Sequence, residues 1–138
     1  VVVNASENLA RQAEALTEGG VDLLLIETMF SFEETNAAFE GAKSVSDLPI
    51  VVSFSYDRGT RTMMGIKPKD VIKRYSEMGA TVVGANCGTT LENMEAVVKE
   101  YAEKVVKLLG GNRSKASEAL GISRTSLWKI LKEGTPGG

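Results

Sequence analysis

The 138-residue chain is 43% hydrophobic, 25% charged and 6% aromatic, which allows a buried core and excludes global disorder and collagen-like or mucin-like chains. No apolar run approaches the roughly 20 residues of a membrane span, and the first residues do not resemble a signal peptide. The single cysteine suits a reducing compartment, so we expect a cytoplasmic protein, and the absence of histidine removes the commonest metal ligand and general base.

The net charge of -2 conceals an asymmetry along the chain. Residues 1–103 carry nine basic and sixteen acidic side chains, whereas residues 104–133 carry seven basic and two acidic ones. The first part is therefore at -7 and the second at +5. An acidic body followed by a basic segment indicates two pieces with different partners, and a basic piece can bind a polyanion. The alternative is that the basic side chains only form the solvated, charged surface of a helix.

The first hundred residues alternate between helical and strand patterns. Helical spacing of apolar residues predicts helices over 6–17, 32–45, 67–79 and 91–109, and short apolar runs predict strands over 21–27, 49–55 and 81–85. The run at 21–27 is nearly continuous, as expected for a strand buried on both faces. This order predicts an α/β fold with three parallel strands, either a short open sheet or an arc of an eight-stranded barrel.

The pattern changes after Gly110. Two short helices are predicted, over 113–120 and 124–132, around a turn at Gly121. Ala116 and Ser117 are small enough for a close helix crossing, and an inner face is formed by Leu120, Ile122, Leu127 and Ile130. An all-α helix-turn-helix after the βα segment is therefore predicted. We divide the chain into a βα segment (1–100), this helix-turn-helix (101–134) and a flexible tail (135–138).

The second of these segments resembles the Fis-type helix-turn-helix that also ends the NtrC-type activators. The resemblance rests on the runs 111–116 and 120–129, in which capping, turn and recognition positions follow in order. It implies binding of double-stranded DNA, usually by a homo-oligomer such as a dimer, with Arg124 reading a base or phosphate. The predicted DNA-binding residues are Asn112, Arg113, Ser114, Lys115, Ser123, Arg124, Thr125, Ser126, Lys129 and Lys132. The alternative is that these two helices form only a small cap on the βα segment.

Polar residues follow the predicted strands of the body, where ligands meet parallel sheets. Glu27 closes an apolar strand, which is unusual for a carboxylate unless it has a partner or a function. Asn86 and Cys87 follow the third strand in a glycine-containing turn. The alternative for Cys87 is a vestigial or merely buried thiol, and the chain has no histidine to serve as its base.

The body resembles the homocysteine S-methyltransferase family in the runs 20–28, 48–54, 61–65 and 79–88. The resemblance implies part of a (β/α)₈ barrel and a zinc ion held by three thiolates, which activates homocysteine for methyl transfer. It assigns Cys87 to the first zinc ligand and Glu27 to the substrate amino group, with Asn86 also in the substrate site. The family's Gly-Gly-Cys-Cys segment, which supplies the other two ligands, does not occur in these 138 residues.

These observations predict a chimera that binds DNA through its helix-turn-helix, attached to an incomplete and inactive methyltransferase-like segment. No cofactor is expected in this chain under that hypothesis. Two alternatives remain. The chain is a zinc-dependent homocysteine S-methyltransferase or a fragment of one, with homocysteine as its partner and zinc as its cofactor. Otherwise it is an inactive scaffold that oligomerises through its open sheet edges.

Overall fold

The computed structural model describes residues 5–132. In chain order the elements are α1 (Ala5–Glu18), β1 (Leu24–Met29), α2 (Phe32–Val45), β2 (Ile50–Ser55), α3 (Pro68–Met78), β3 (Val82–Asn86), α4 (Leu91–Leu108), α5 (Arg113–Ala119) and α6 (Arg124–Lys132). The predicted types and their order are confirmed. The predicted tail at 135–138 lies outside the described residues.

The three strands form an open parallel sheet in the order β1-β2-β3, which confirms the α/β class with a three-stranded parallel segment. Only β2 has a neighbour on each side. Its register places Val51 between Leu25 of β1 and Val82 of β3. In the described chain, β1 and β3 are therefore edge strands that carry unpaired backbone groups.

The prediction that the first strand is buried on both faces is wrong. β1 begins at Leu24 rather than at residue 21, and Leu25 is 52% exposed although its neighbour Leu24 is buried. Successive side chains of a strand point to opposite faces, so the helices cover the face that carries Leu24 and leave the other face open at Leu25. Val82, in the same row as Leu25, is likewise 51% exposed.

An aromatic cluster on the covered face holds the helices to the sheet. The rings of Phe54 on β2 and Tyr75 on α3 lie 5.6 Å apart, and Phe32 and Phe39 of α2 lie 6.0–6.2 Å from Tyr75. These separations are typical of favourable tilted and edge-to-face aromatic pairs. Phe39, Phe54 and Tyr75 are all buried, so this cluster is the centre of the core.

Local signals set the ends of several helices. The side chain of Ser31 accepts a hydrogen bond from the Glu34 amide at the start of α2, and Thr90 does the same at the start of α4. Pro68 stands in the first turn of α3, and Gly79 ends that helix with a φ of 88°. These signals depend only on neighbouring residues, which is why the helix bounds were predictable.

The two-helix segment (α5 and α6) packs on α4 through a second apolar cluster. Ala102 of α4, Ala116 of α5 and Leu127 of α6 are buried in it, and Leu120, Ile122 and Ile130 pack against them. Gly121 forms the turn with a φ of 65°. The predicted packing of these two helices is confirmed. The division predicted at residue 100 stays a prediction, and α4 runs across it without a break.

None of the helices within residues 5–132 has the length and apolar character needed to cross a membrane.

We expect the protein to lose stability at high pH because three of its tyrosines are buried. Burial raises the pKa of Tyr75 to about 12, and burial also raises the pKa of Tyr56 and of Tyr101 above the ordinary value. The hydroxyls of Tyr56 and Tyr101 lie 2.7 Å apart, and Tyr101 also donates to the Gly84 carbonyl. In the unfolded chain these phenols ionise near pH 10.

The folded state therefore keeps protons that the unfolded state releases, so the free energy of unfolding should fall as the pH rises above about 10. Urea denaturation at a series of pH values measures this fall. The variant Tyr56→Phe/Tyr101→Phe should show a shallower fall from its own neutral-pH value. An equal fall in the wild type and the variant would contradict the assignment to these two phenols.

Candidate functional site

The carboxyl ends of β1 and β3 depart from regular strand geometry. The pairing of β1 with β2 is interrupted between Ile26 and Met29, and Thr28 within this irregularity has a φ of 61°. Cys87, directly after β3, has a φ of 56°. Left-handed backbone costs about 1–3 kcal/mol at a residue other than glycine and concentrates at functional sites. The strain therefore marks this edge of the sheet as a candidate site.

A hydrogen-bond network joins the three strand ends. Asn86 Oδ1 accepts from Ser53 Oγ at 2.6 Å, and Asn86 Nδ2 donates to Thr28 Oγ1 at 2.7 Å. The same nitrogen lies 3.3 Å from Cys87 Sγ, to which it also donates. We call Thr28, Ser53, Asn86 and Cys87 the strand-end cluster. It brings two hydroxyls, an amide and a thiol to one place at the ligand-binding edge of a parallel sheet.

Cys87 is exposed, so the alternative of a merely buried thiol is wrong. Cys87 lies in the turn after β3, while Asn86 stays half-buried at the strand end. An exposed thiol is accessible to a small substrate or to a metal ion.

The cluster does not contain a complete zinc site. Across residues 5–132, the structure forms no group of three or more His, Cys, Asp or Glu side chains that could hold a metal ion. Cys87 is the one cysteine of the sequence, and the sequence has no histidine. A catalytic zinc needs three protein ligands, so the three-thiolate arrangement implied by the family does not fit the residues present.

Glu27 lies beside the strand-end cluster rather than within its hydrogen bonds. It is exposed at the irregular end of β1 and lines a crevice of about 250 Å³ between α1, β1 and α2, together with Gln12 and Glu34. The network from Asn86 reaches the neighbouring Thr28 instead. The role of Glu27 toward a substrate amino group stays a prediction, as do those of Asn86 and Cys87.

Sequence reasoning missed Thr28 and Ser53 as members of the cluster. Both stand in segments that end strands, but a hydroxyl in such a segment is common and does not by itself indicate a site. The signal that could have identified them is the register of the sheet. Ser53 pairs with Gly84 and Ser55 with Asn86, so the side chain of Asn86 reaches Ser53, two residues before its own partner on β2.

The two-helix segment presents a polar and basic surface on the other part of the molecule. The ten side chains predicted to contact DNA are all exposed: Asn112, Arg113, Ser114, Lys115, Ser123, Arg124, Thr125, Ser126, Lys129 and Lys132. A hollow of about 860 Å³ lies between the starts of α5 and α6, lined in part by Arg113, Arg124 and Trp128. This exposure is necessary for DNA contact, and the DNA-binding roles themselves stay predictions.

Some of these polar groups also have local structural roles. Asn112 Oδ1 accepts from the Lys115 amide, and Ser123 Oγ accepts from the Ser126 amide, each at 3.0 Å. They cap the first turns of α5 and α6. The Lys132 ammonium lies 4.4 Å from the centre of the Trp128 ring, a cation–π contact. The side chains of the other six members of the set take no part in these local contacts: Arg113, Ser114, Lys115, Arg124, Thr125 and Lys129.

Comparison with protein families identifies the body. The sequence model of the family described as homocysteine S-methyltransferase matches residues 3–124. The match includes every strand and the strand-end cluster, and it continues through α4 and α5 to Arg124. It therefore also covers much of the segment predicted as a separate helix-turn-helix. By this match over most of its length, the chain belongs to the homocysteine S-methyltransferase family.

Proposed function

We propose that the chain is the homocysteine-binding part of an S-methyltransferase and that its strand-end cluster receives the substrate. The observation that carries the proposal is the network that joins Thr28, Ser53 and Cys87 through Asn86 at the carboxyl edge of the sheet. The family supplies the reaction class. This function, given above as an alternative, replaces DNA binding as the leading hypothesis.

The cluster suits a small amino-acid thiol. Thr28 and Cys87 are exposed and held in fixed positions, so they can contact a ligand without first being ordered. Glu27 directly precedes Thr28 in β1, and its exposed carboxylate is the proposed partner of the substrate amino group. In the reaction, the homocysteine sulfur loses its proton to water and forms a bond to the methyl carbon. The carbon's bond to the donor breaks, and the donor keeps that electron pair.

Zinc has no role in the proposed function. With one cysteine in the cluster and no three-ligand group in residues 5–132, we assign no step to zinc. What the chain's own residues do here is bind and orient. The proposed substrate of these residues is homocysteine.

Homocysteine should bind this protein in the presence of a phosphine reductant, which prevents a mixed disulfide with Cys87. Isothermal titration calorimetry measures the affinity. Glu27→Gln should weaken binding by about two- to fivefold, as expected for an exposed ion pair. Glu40→Gln, an exposed carboxylate on α2, is the matched control and should leave the affinity unchanged. Absence of heat at millimolar homocysteine would contradict the proposal.

A second candidate function is binding of double-stranded DNA by the two-helix segment. The observation that favours it is the exposure of all ten predicted contact residues, five of which line one hollow, at the basic end of the chain, where residues 104–133 carry a balance of +5. In this proposal α6 enters the major groove, and a homodimer places two such helices about 34 Å apart. Basic side chains would supply salt-dependent attraction to the phosphates.

Duplex DNA should bind at 50 mM salt and lose affinity on the order of a hundredfold by 200 mM, because several phosphate contacts release counterions. Fluorescence anisotropy with a labelled duplex measures both values. Arg124→Ala should weaken binding at least fivefold, the loss typical of a base-contacting arginine. Arg11→Ala on α1 is the control. No binding at 50 mM salt, or equal binding by both variants, would remove this candidate.

A further inference from the structure

The side chain of Asn86 has little capacity left for a substrate. A primary amide has two N–H donors and two acceptor lone pairs. Asn86 Nδ2 donates to Thr28 and to Cys87, and Oδ1 accepts from Ser53. Both donors are therefore used within the protein. A residue in this position is poorly suited to donate to a substrate carboxylate, which is the contact an asparagine in a substrate site would usually supply.

The partners of Asn86 are the two residues with strained backbones. Thr28 has a φ of 61° and Cys87 a φ of 56°, and Asn86 is hydrogen-bonded to the side chains of both. Strained conformations persist where the surrounding structure over-determines them. Asn86 is itself fixed by β3, whose register with β2 places it opposite Ser55, and by the bond from Ser53.

From this arrangement we infer that Asn86 is a positioning residue. It acts on the substrate through Thr28 and Cys87, whose side chains it holds in one arrangement across the ends of β1 and β3. This inference rests on the proposed homocysteine site for its functional consequence. It replaces the direct substrate contact predicted for Asn86, and it makes the hydroxyl of Thr28 a determinant of affinity.

Four variants test the inference by calorimetric titration with homocysteine. Asn86→Asp keeps the shape of the side chain and removes both N–H donors, and Thr28→Val removes the hydroxyl. Each should weaken binding by about tenfold, the value of one hydrogen bond. Thr28→Ser keeps the hydroxyl and should bind within about twofold of the wild type. The double variant Thr28→Val/Asn86→Asp should be no weaker than Asn86→Asp alone, because that change already breaks the link to Thr28.

Asn112→Asp is the matched control, since its Oδ1 is the atom that caps α5 and the carboxylate retains it. If Asn86→Asp weakens binding while Thr28→Val does not, or if the two losses add, Asn86 acts independently of Thr28 and the inference is wrong. Unfolding curves for each variant separate a loss of affinity from a loss of fold.

A second measurement does not depend on homocysteine binding. In ¹⁵N–¹H spectra, the side-chain NH₂ signals of Asn86 should move in Thr28→Val and in Ser53→Ala, whereas those of Asn112 should not. If the wild type fails to bind homocysteine but these signals move, the proposed function is wrong and the positioning of Thr28 by Asn86 stands. Unmoved Asn86 signals in both variants would overturn the inference whether or not homocysteine binds.

Discussion

Phe54→Ala is expected to lower the free energy of unfolding by about 3–5 kcal/mol, the usual cost of removing a buried aromatic ring. Phe54 is fully buried on the helix-covered face of β2, and its ring contacts Phe32 and Tyr75. The cavity would open where α2 and α3 meet the sheet. Because a domain of this size is stable by about 5–15 kcal/mol in total, the variant should be close to unfolding. Urea denaturation followed by circular dichroism measures the loss.

Leu25→Ala is the control for Phe54→Ala because Leu25 lies on the opposite face of the sheet and is about half exposed. Its loss should be near 1 kcal/mol, in proportion to the smaller apolar area that it buries. A loss at Leu25 as large as that at Phe54 would contradict the open face described here. It would show that this face is covered in solution.

Leu127→Ala is expected to cost about 2–5 kcal/mol, but locally rather than throughout the protein. Leu127 is fully buried between α4 and α5 and belongs to the cluster with Ala102 and Ala116, which is separate from the cluster around the sheet. Amide hydrogen exchange should therefore accelerate in α5 and α6 while β2 stays protected. Leu91→Ala, at a largely exposed position of α4, should leave exchange unchanged.

The same variant separates the two candidate functions. If homocysteine binds at the strand-end cluster, Leu127→Ala should retain its affinity for homocysteine. Any affinity for duplex DNA should be lost, because α6 no longer has a fixed place beside α5. If Leu127→Ala loses homocysteine binding as well as the hydrogen-exchange protection of α5 and α6, the substrate site lies on the two-helix segment. The assignment of that site to the strand-end cluster would then be wrong.

The order and type of the elements were predictable because their signals are local. Alternating apolar patterns, caps such as Ser31 and Thr90 and the glycine turn at Gly121 act on neighbouring residues. Burial was less predictable. Leu25 and Val98 have the same chemistry as buried neighbours, yet both are substantially exposed, because burial depends on which elements happen to cover each face.

The candidate site was predictable only in part, because some of its signals are local and others depend on the packing of the strands. Asn86 ends β3 and Cys87 follows it in a glycine-containing turn, so their position at the sheet edge could be read from the sequence. The contributions of Thr28 and Ser53 could not, because they depend on strand register and on the irregular end of β1. Glu27 was predicted as a site residue by its chemistry, but the network passes through the residue that follows it.

The most direct test of the homocysteine site is a titration of ¹⁵N-labelled protein with homocysteine under reducing conditions. The backbone amide signals of Thr28, Ser53, Asn86 and Cys87 should move in a concentration-dependent manner, while those of α5 and α6 remain in place. Signals that move only within residues 113–132, or no movement at millimolar homocysteine, would contradict the account.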